Sequence, residues 1–329
     1  MSDNGELLVF VEQREGVINP VSYELLGKGI ELAEKKRCAL TAVLLGNRAE
    51  NHARELIFHG AEKVYLFDHP LFNDCDLLNY KHNVVRLVKE VQPDILLLGA
   101  TYWGRSLGSR VAAALGTGLT ADCTGLEIDK HGNLVQIRPA FSGNVLAHIK
   151  TRTRPQMATV RYKVMPRAVR DTDRKGEIIR KAVEIVPSLL SFVHHKKSAD
   201  VNLADAEILV SGGSGLKKAD DYSLLSELAE VLGAALGSSR PPVDNGWIGR
   251  EHQVGFSGTT VNPKVYIACG ISGSPQHLAG MRSSQTIIAI NTDPSAPIFR
   301  VADYGIVGDL YEVIPKLMKK IKEYRYEHG

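Results

Sequence analysis

A chain of 329 residues is long for one hydrophobic core and suits two domains. It is 44% hydrophobic and 23% charged, and a net charge of +3 with no localised basic patch argues against nucleic acid. The cysteines Cys38, Cys75, Cys123 and Cys269 form no Cys-x-x-Cys pair, so neither a disulfide framework nor a zinc site is supported; no stretch has the length of a membrane span, and the cytoplasm is the expected setting.

A first strand is expected over residues 6–11, where E-L-L-V-F-V is apolar without a helical period. A helix follows over 21–36, with Leu25, Leu26, Ile30 and Ala33 on one face. The rhythm repeats as strand 39–46, helix 49–59 closed by Gly60, strand 63–67, helix 77–91, strand 95–98 and helix 104–115 capped by Gly116. Strands alternating with helices predict a Rossmann-like parallel sheet covered on both faces. No G-x-G-x-x-G follows the first strand, where the turn reads Q-R-E-G-V-I-N-P. This half therefore has the architecture of a nucleotide fold without the fingerprint of a bound nucleotide.

After Gly116 the pattern changes. Residues 124–129 and 134–138 flank K-H-G-N, a hairpin signal, and 144–150, 155–160 and 182–186 read as further strands. They predict a partly antiparallel edge to the sheet. Arg152, Arg154 and Arg161 cluster there, either as a solvated edge that discourages aggregation or as a contact for an anion or partner. H-H-K-K-S-A-D at 194–200 reads as a linker, and His194-His195 lacks a third metal ligand nearby. The expected division is an N-terminal domain over 1–195, a linker over 196–202 and a second α/β domain over 203–329.

The second domain opens with a strand over 207–210, the loop S-G-G-S-G and a helix over 222–232. A second unit of the same kind follows: strand 265–268, the loop G-I-S-G-S at 270–274, and a helix opened by Pro275. Residues 286–290 form another strand, closed by the turn N-T-D-P. Two strand–glycine-loop–helix units in one domain can set two helix N-termini on one pyrophosphate, although packing alone explains many glycine turns. Ser239-Arg240 ends a short strand-like segment, and Q-V-G-F-S-G at 253–258 makes another glycine-flanked turn. An arginine at a strand end beside glycine loops can hold a phosphate or an anionic ring; an ordinary surface arginine is the plain alternative. The chain closes with an amphipathic helix from about 309 to 324, which Asp309 can cap.

The segments T-G-L-T-A-D-C-T-G-L, R-P-A-F-S-G-N, R-P-Q-M-A-T-V-R, S-S-R-P-P-V-D, C-G-I-S-G-S-P-Q-H-L-A-G-M, I-N-T-D-P-S-A-P-I-F and V-A-D-Y-G-I-V-G-D-L resemble the α subunits of electron transfer flavoproteins. The resemblance covers nearly the whole chain and is most specific over 270–310. It implies a heterodimer in which the first domain and a β subunit form a base, while the second domain binds one FAD. It also implies electron transfer with acyl-CoA dehydrogenases or similar flavoenzymes of fatty acid β-oxidation. In the bifurcating members, electrons pass from NADH to ferredoxin and an enoyl-CoA. No catalytic or metal-ligating residue is implied. The linker would let the flavin domain swing towards its partners.

The resemblance places Ser239 and Arg240 at the cofactor, with the arginine beside the isoalloxazine. It places Val254, Gly255, Phe256 and Ser257 along the same site, with the Ser257 hydroxyl on flavin N5. Ser272, Gly273, Ser274, Pro275, Gln276 and His277 wrap the flavin, with His277 near the pyrimidine oxygen. Asn291, Asp309 and Leu310 meet the adenosine end. Two positions depart from the family pattern. Ser214 stands where an arginine is usual, and Phe256 where a glutamine is usual. A free-standing nucleotide-dependent oxidoreductase and a structural partner with vestigial loops are the alternatives.

Overall fold

The computed structural model describes residues 5–73, 76–140, 145–187 and 203–328. They form two compact units, divided after residue 194. The linker expected at 196–202 and the His194-His195 pair lie outside the described residues.

The first unit begins with β1 (Glu6–Val11), a short ladder of β2 (Gln13–Arg14) with β3 (Val17–Ile18), α1 (Val21–Lys36), β4 (Ala39–Gly46), α2 (Glu50–Phe58) and β5 (Lys63–Asp68). It continues with α3 (Leu77–Val91), β6 (Ile95–Gly99), α4 (Tyr102–Leu115), β7 (Leu119–Cys123), β8 (Gly125–Ile128), β9 (Leu134–Ala140), β10 (Val145–Ile149), β11 (Gln156–Val160) and β12 (Glu177–Arg180). Seven strands form a wholly parallel sheet in the order β12-β5-β4-β1-β6-β11-β7. Its central strands are continuous apolar runs because both faces are covered. Along β1, Leu7 and Val9 enter the core with Leu25 of α1 and Leu56 of α2, while Leu8 and Phe10 enter the core with Val84 of α3 and Leu107 of α4.

Two expectations are corrected here. The antiparallel strands are present, but β8, β9 and β10 form a separate three-stranded sheet and not an edge of the parallel one. The ladder with β11 shifts register beside Asp122, whose φ is 65°, and the chain leaves the parallel sheet after Cys123. Residues 182–186 are not a strand; the edge strand is β12, just before them. Their partners are two asparagines one turn apart on α3. Asn83 Oδ1 accepts from the Glu184 N–H at 3.0 Å, and Asn79 Oδ1 from the Val186 N–H at 2.8 Å. Side-chain amides satisfy the backbone there. Of the clustered arginines, Arg154 pairs with Asp94 and Arg161 with Asp122.

The second unit contains β13 (Ile208–Gly212), α5 (Tyr222–Leu232), β14 (Ala235–Ser238), α6 (Arg240–Asp244), β15 (Val265–Cys269), α7 (Pro275–Met281), β16 (Thr286–Asn291), β17 (Tyr304–Val307) and α8 (Leu310–His328). Its sheet is parallel throughout, in the order β14-β13-β15-β16-β17. Tyr266 and Ala268 of β15 face the core that holds Met281 of α7, while Ile267 and Cys269 face the core with α5 and α8. Asp309 caps α8, its Oδ1 accepting the Tyr311 N–H at 2.9 Å. Among the described residues no helix is long and apolar enough to cross a membrane, and no His, Cys, Asp and Glu cluster could hold a metal.

Candidate functional site

In an open parallel sheet, ligands bind beyond the carboxyl ends of the strands, where the chain order reverses. In the second unit that point lies between β13 and β15, since the chain goes from β13 to β14 on one side and then to β15 on the other. The two glycine loops meet there. The first is closed by packing. Gly213 N–H donates to the Cys269 carbonyl at 3.0 Å and Gly215 N–H to the Gly270 carbonyl at 2.9 Å. A Cβ on Gly213 would lie 2.4 Å from the Gly270 oxygen, so only glycine fits. The Lys217 and Lys218 N–H groups are taken by the Asp221 carboxylate, and α5 begins only at Tyr222. The first loop therefore brings no helix N-terminus to the site, which corrects the expectation of two converging on one anion.

The second loop differs. Among the described residues, the N–H groups of Ile271, Ser272, Gly273 and Ser274 donate to no protein acceptor. Gly270 and Gly273 hold φ of 61° and 86°, and a Cβ on Gly273 would come 2.4 Å from the Ile298 nitrogen. A run of unengaged backbone donors in a left-handed turn suits an anion.

Beside this loop lies a cleft of about 590 Å³. It brings together Ser239, Arg240, Val254, Gly255, Phe256, Ser257, Ser272, Ser274, Gln276 and His277, with Ser214 at its wall. Gly273 and Pro275 belong to the same loop without lining the cleft. Asn291, Asp309 and Leu310 lie outside it. Asn291 Nδ2 donates to the Ile271 carbonyl at 3.0 Å, Asp309 caps α8, and Leu310 is buried with its Cδ2 under Gly270. Pro241, Asp244, Asn245, Gln253 and Ile271 also line the cleft and were missed by sequence reasoning. For Asp244 a signal existed, since it lies four residues after Arg240 and so on the same face of one helical turn.

The wall from Gln253 to Ser257 is an arm clamped on three sides. Val254 N–H donates to the Ser238 carbonyl and Phe256 N–H to the Gln276 carbonyl, both at 2.8 Å. The arm lies directly on α7, because a Cβ on Gly280 would meet Gly255 Cα at 2.5 Å. The third clamp is His277, only 4% exposed. Its Nδ1 donates to the Val254 carbonyl at 3.1 Å, which leaves Nε2 to accept from the Tyr266 hydroxyl at 3.0 Å. Burial lowers its pKa to about 4, so the ring is neutral at physiological pH. The same burial raises the Tyr266 phenol. Gln253 is buried, and its Nε2 donates to Ser257 Oγ at 2.9 Å, so the Ser257 proton is left for a ligand. Phe256, 82% exposed, stands at the mouth.

Arg240 and Asp244 are the charged side chains among the described residues that line the cleft. They pair with each other, Nε to Oδ2 at 3.0 Å. The remaining lining mixes apolar surface with hydroxyl and amide groups. That composition suits a heteroaromatic ligand with polar edges.

Two family models match the chain. Residues 7–186 match the family described as "Electron transfer flavoprotein domain", and residues 202–282 match "Electron transfer flavoprotein FAD-binding domain". The chain is 50% identical to an electron transfer flavoprotein subunit alpha of Thermoanaerobacterium thermosaccharolyticum, over 98% of this chain and 99% of that one. It is 46% identical to the corresponding protein of Clostridium acetobutylicum, over 95% and 96% of the two chains. It is also 43% identical to the lactate dehydrogenase (NAD(+),ferredoxin) subunit LctC of Acetobacterium woodii, over 96% of this chain and 77% of that one.

Proposed function

The chain belongs to the electron transfer flavoprotein α-subunit family and carries its FAD-binding domain, and from that premise we propose that it is the FAD-bearing half of a heterodimeric electron carrier. Its partners on this reading are an electron transfer flavoprotein β subunit and acyl-CoA dehydrogenase-type flavoenzymes, in the cytoplasm. The observation that supports it best is the cleft at the switch point of the second sheet, where Ser239, Arg240, Ser257, Ser272 and Gln276 converge.

The residues fit the cofactor. Bound FAD supplies reversible electron transfer, and the chain supplies its setting. The N–H groups of Ile271 to Ser274 offer donors to an anionic segment. Ser257, already accepting from Gln253, keeps its hydroxyl proton to donate to the ligand. Arg240 offers positive charge where reduction adds negative charge. Phe256 leaves apolar surface at the mouth, where a partner protein approaches.

The test is co-purification with the β subunit, followed by an absorption spectrum and an FAD-to-protein ratio. Flavin bands, and their bleaching by a reduced acyl-CoA dehydrogenase, support the reading. A complex without flavin after FAD is added rejects it. NADH turnover by the isolated chain would favour a free-standing oxidoreductase instead. A second reading, bifurcation with a ferredoxin as acceptor, is favoured by the similarity to LctC, and reduction of ferredoxin by the complex with NADH and an enoyl-CoA discriminates it.

A further inference from the structure

The Arg240–Asp244 pair breaks the rules of the helix it stands on. Arg240 opens α6 and Asp244 closes it. A cation is favoured at a helix C-terminus and an anion at the N-terminus, and an acid preceding a base is the better order at four-residue spacing. Here all three preferences are reversed. The pair is also open to solvent, 66% and 58% exposed, and exposed pairs of this kind add little to stability. A local conflict without a stabilising return is expected at functional positions. Both side chains line the cleft, and among the described lining residues they supply all its formal charge. His277 adds none, since both its ring nitrogens are engaged and the ring is neutral. Ser214 adds none either, and the cleft is balanced at zero.

Building on the FAD reading, we propose that Asp244 is a second determinant of the reduction potential of the cofactor in this cleft, acting as counter-ion and positioning residue for Arg240. Its Oδ2 holds Nε, which fixes the guanidinium plane and leaves the terminal nitrogens for a ligand. Its charge offsets that of the arginine. A ligand that fills the cleft excludes water from the pair and strengthens both effects, because screening falls as solvent leaves. The potential thus answers to the balance of the pair, and the acidic residue that holds the arginine is part of the tuning.

The experiment uses the complete complex with the β subunit and bound FAD, and reads the two-electron midpoint potential by dye-equilibrated titration. Asp244→Asn keeps an oxygen acceptor for Nε and removes the charge, and should raise the potential. Asp244→Glu keeps the charge and should stay near the parent. Arg240→Gln should lower the potential, and combining it with Asp244→Asn should bring it back towards the parent, since the cleft is again neutral. FAD stoichiometry and circular dichroism confirm that each variant is folded and loaded. An unchanged or lowered potential in Asp244→Asn overturns the proposal, as does a double variant as low as Arg240→Gln. A parent complex that takes up no FAD overturns the FAD reading itself, and is seen before any variant is made.

Discussion

Replacing Gly280 with alanine is the sharpest test of how the cleft is held together. On propensity alone, alanine within α7 would stabilise the helix by up to about 1 kcal/mol. The structure reverses the sign. A Cβ at Gly280 would stand 2.5 Å from both Cα and N of Gly255, and these are backbone atoms that cannot swing aside. Overpacking of this kind costs about 1–3 kcal/mol. Relief requires the arm to lift from α7, which strains the Phe256 N–H bond to the Gln276 carbonyl and the Val261 N–H bond to the Gly280 carbonyl, both 2.8 Å. Each is worth about 1 kcal/mol. The net loss should be about 1–3 kcal/mol, seen as a fall of several degrees in the thermal midpoint. Because the arm carries Ser257, FAD affinity should fall as well, by about five- to thirty-fold for each one to two kcal/mol transferred to the bound state. Differential scanning calorimetry with and without FAD, and fluorescence titration of the cofactor, measure the two effects. A raised midpoint with unchanged affinity would show that the arm does not rest on α7.

Four further outcomes follow from the same site. His277 has a folded-state pKa of about 4 against an ordinary 6.5, so the unfolded chain binds the extra proton first, and stability contributed by the neutral ring is lost as pH falls from about 6.5 through 4, by about 3 kcal/mol in all; urea unfolding across that window should be steeper in pH for the parent than for His277→Gln. Tyr266→Phe leaves His277 Nε2 without its donor in a buried place and should cost about 1–3 kcal/mol in the same assay, with unfolding unchanged if the hydroxyl is idle. Phe256→Gln should alter stability by no more than about 0.5 kcal/mol because the ring is exposed, and its effect should appear in transfer rates to partner flavoenzymes; a large drop in melting temperature would mean the ring packs. Asp244→Asn should raise the flavin potential, as argued above.

Much of the fold was legible because its signals are local. Gly116 and Gly233 cap α4 and α5 at φ of 66° and 65°, and the end of α4 was read from the first of them. The apolar runs of β1, β4 and β15 announced buried strands, since both faces of each meet a core. Where partners are not strands, the reading failed. Residues 182–186 are rich in β-branched apolar side chains like a strand, yet their backbone is met by Asn79 and Asn83, which lie a hundred residues away in sequence and carry no pairing signal. β17 was missed because all four of its residues are exposed, leaving no burial pattern to see. α6 was missed because Pro241 and Pro242 argue against a helix, although both sit in its first turn, where proline is tolerated. Within the cleft, the loops could be found from glycines and serines. Gln253 could not, because it matters through the side chain it holds, Ser257, and Asp244 left only its spacing of four from Arg240 as a signal.

The two glycine loops show why a motif must be followed to its hydrogen bonds. Both follow a parallel strand and both are built of glycine and serine. Gly213 and Gly215 are glycines because the second loop lies against them, and their N–H groups are already given to Cys269 and Gly270. Gly270 and Gly273 are glycines because their φ is left-handed, and the turn they make leaves the donors of Ile271 to Ser274 facing no protein acceptor among the described residues. The first loop is thus the support and the second the contact. Ser214 sits on the support and lines the cleft. Serine is neutral, so among the described residues that line the cleft the charge is carried by Arg240 and the carboxylate that holds it.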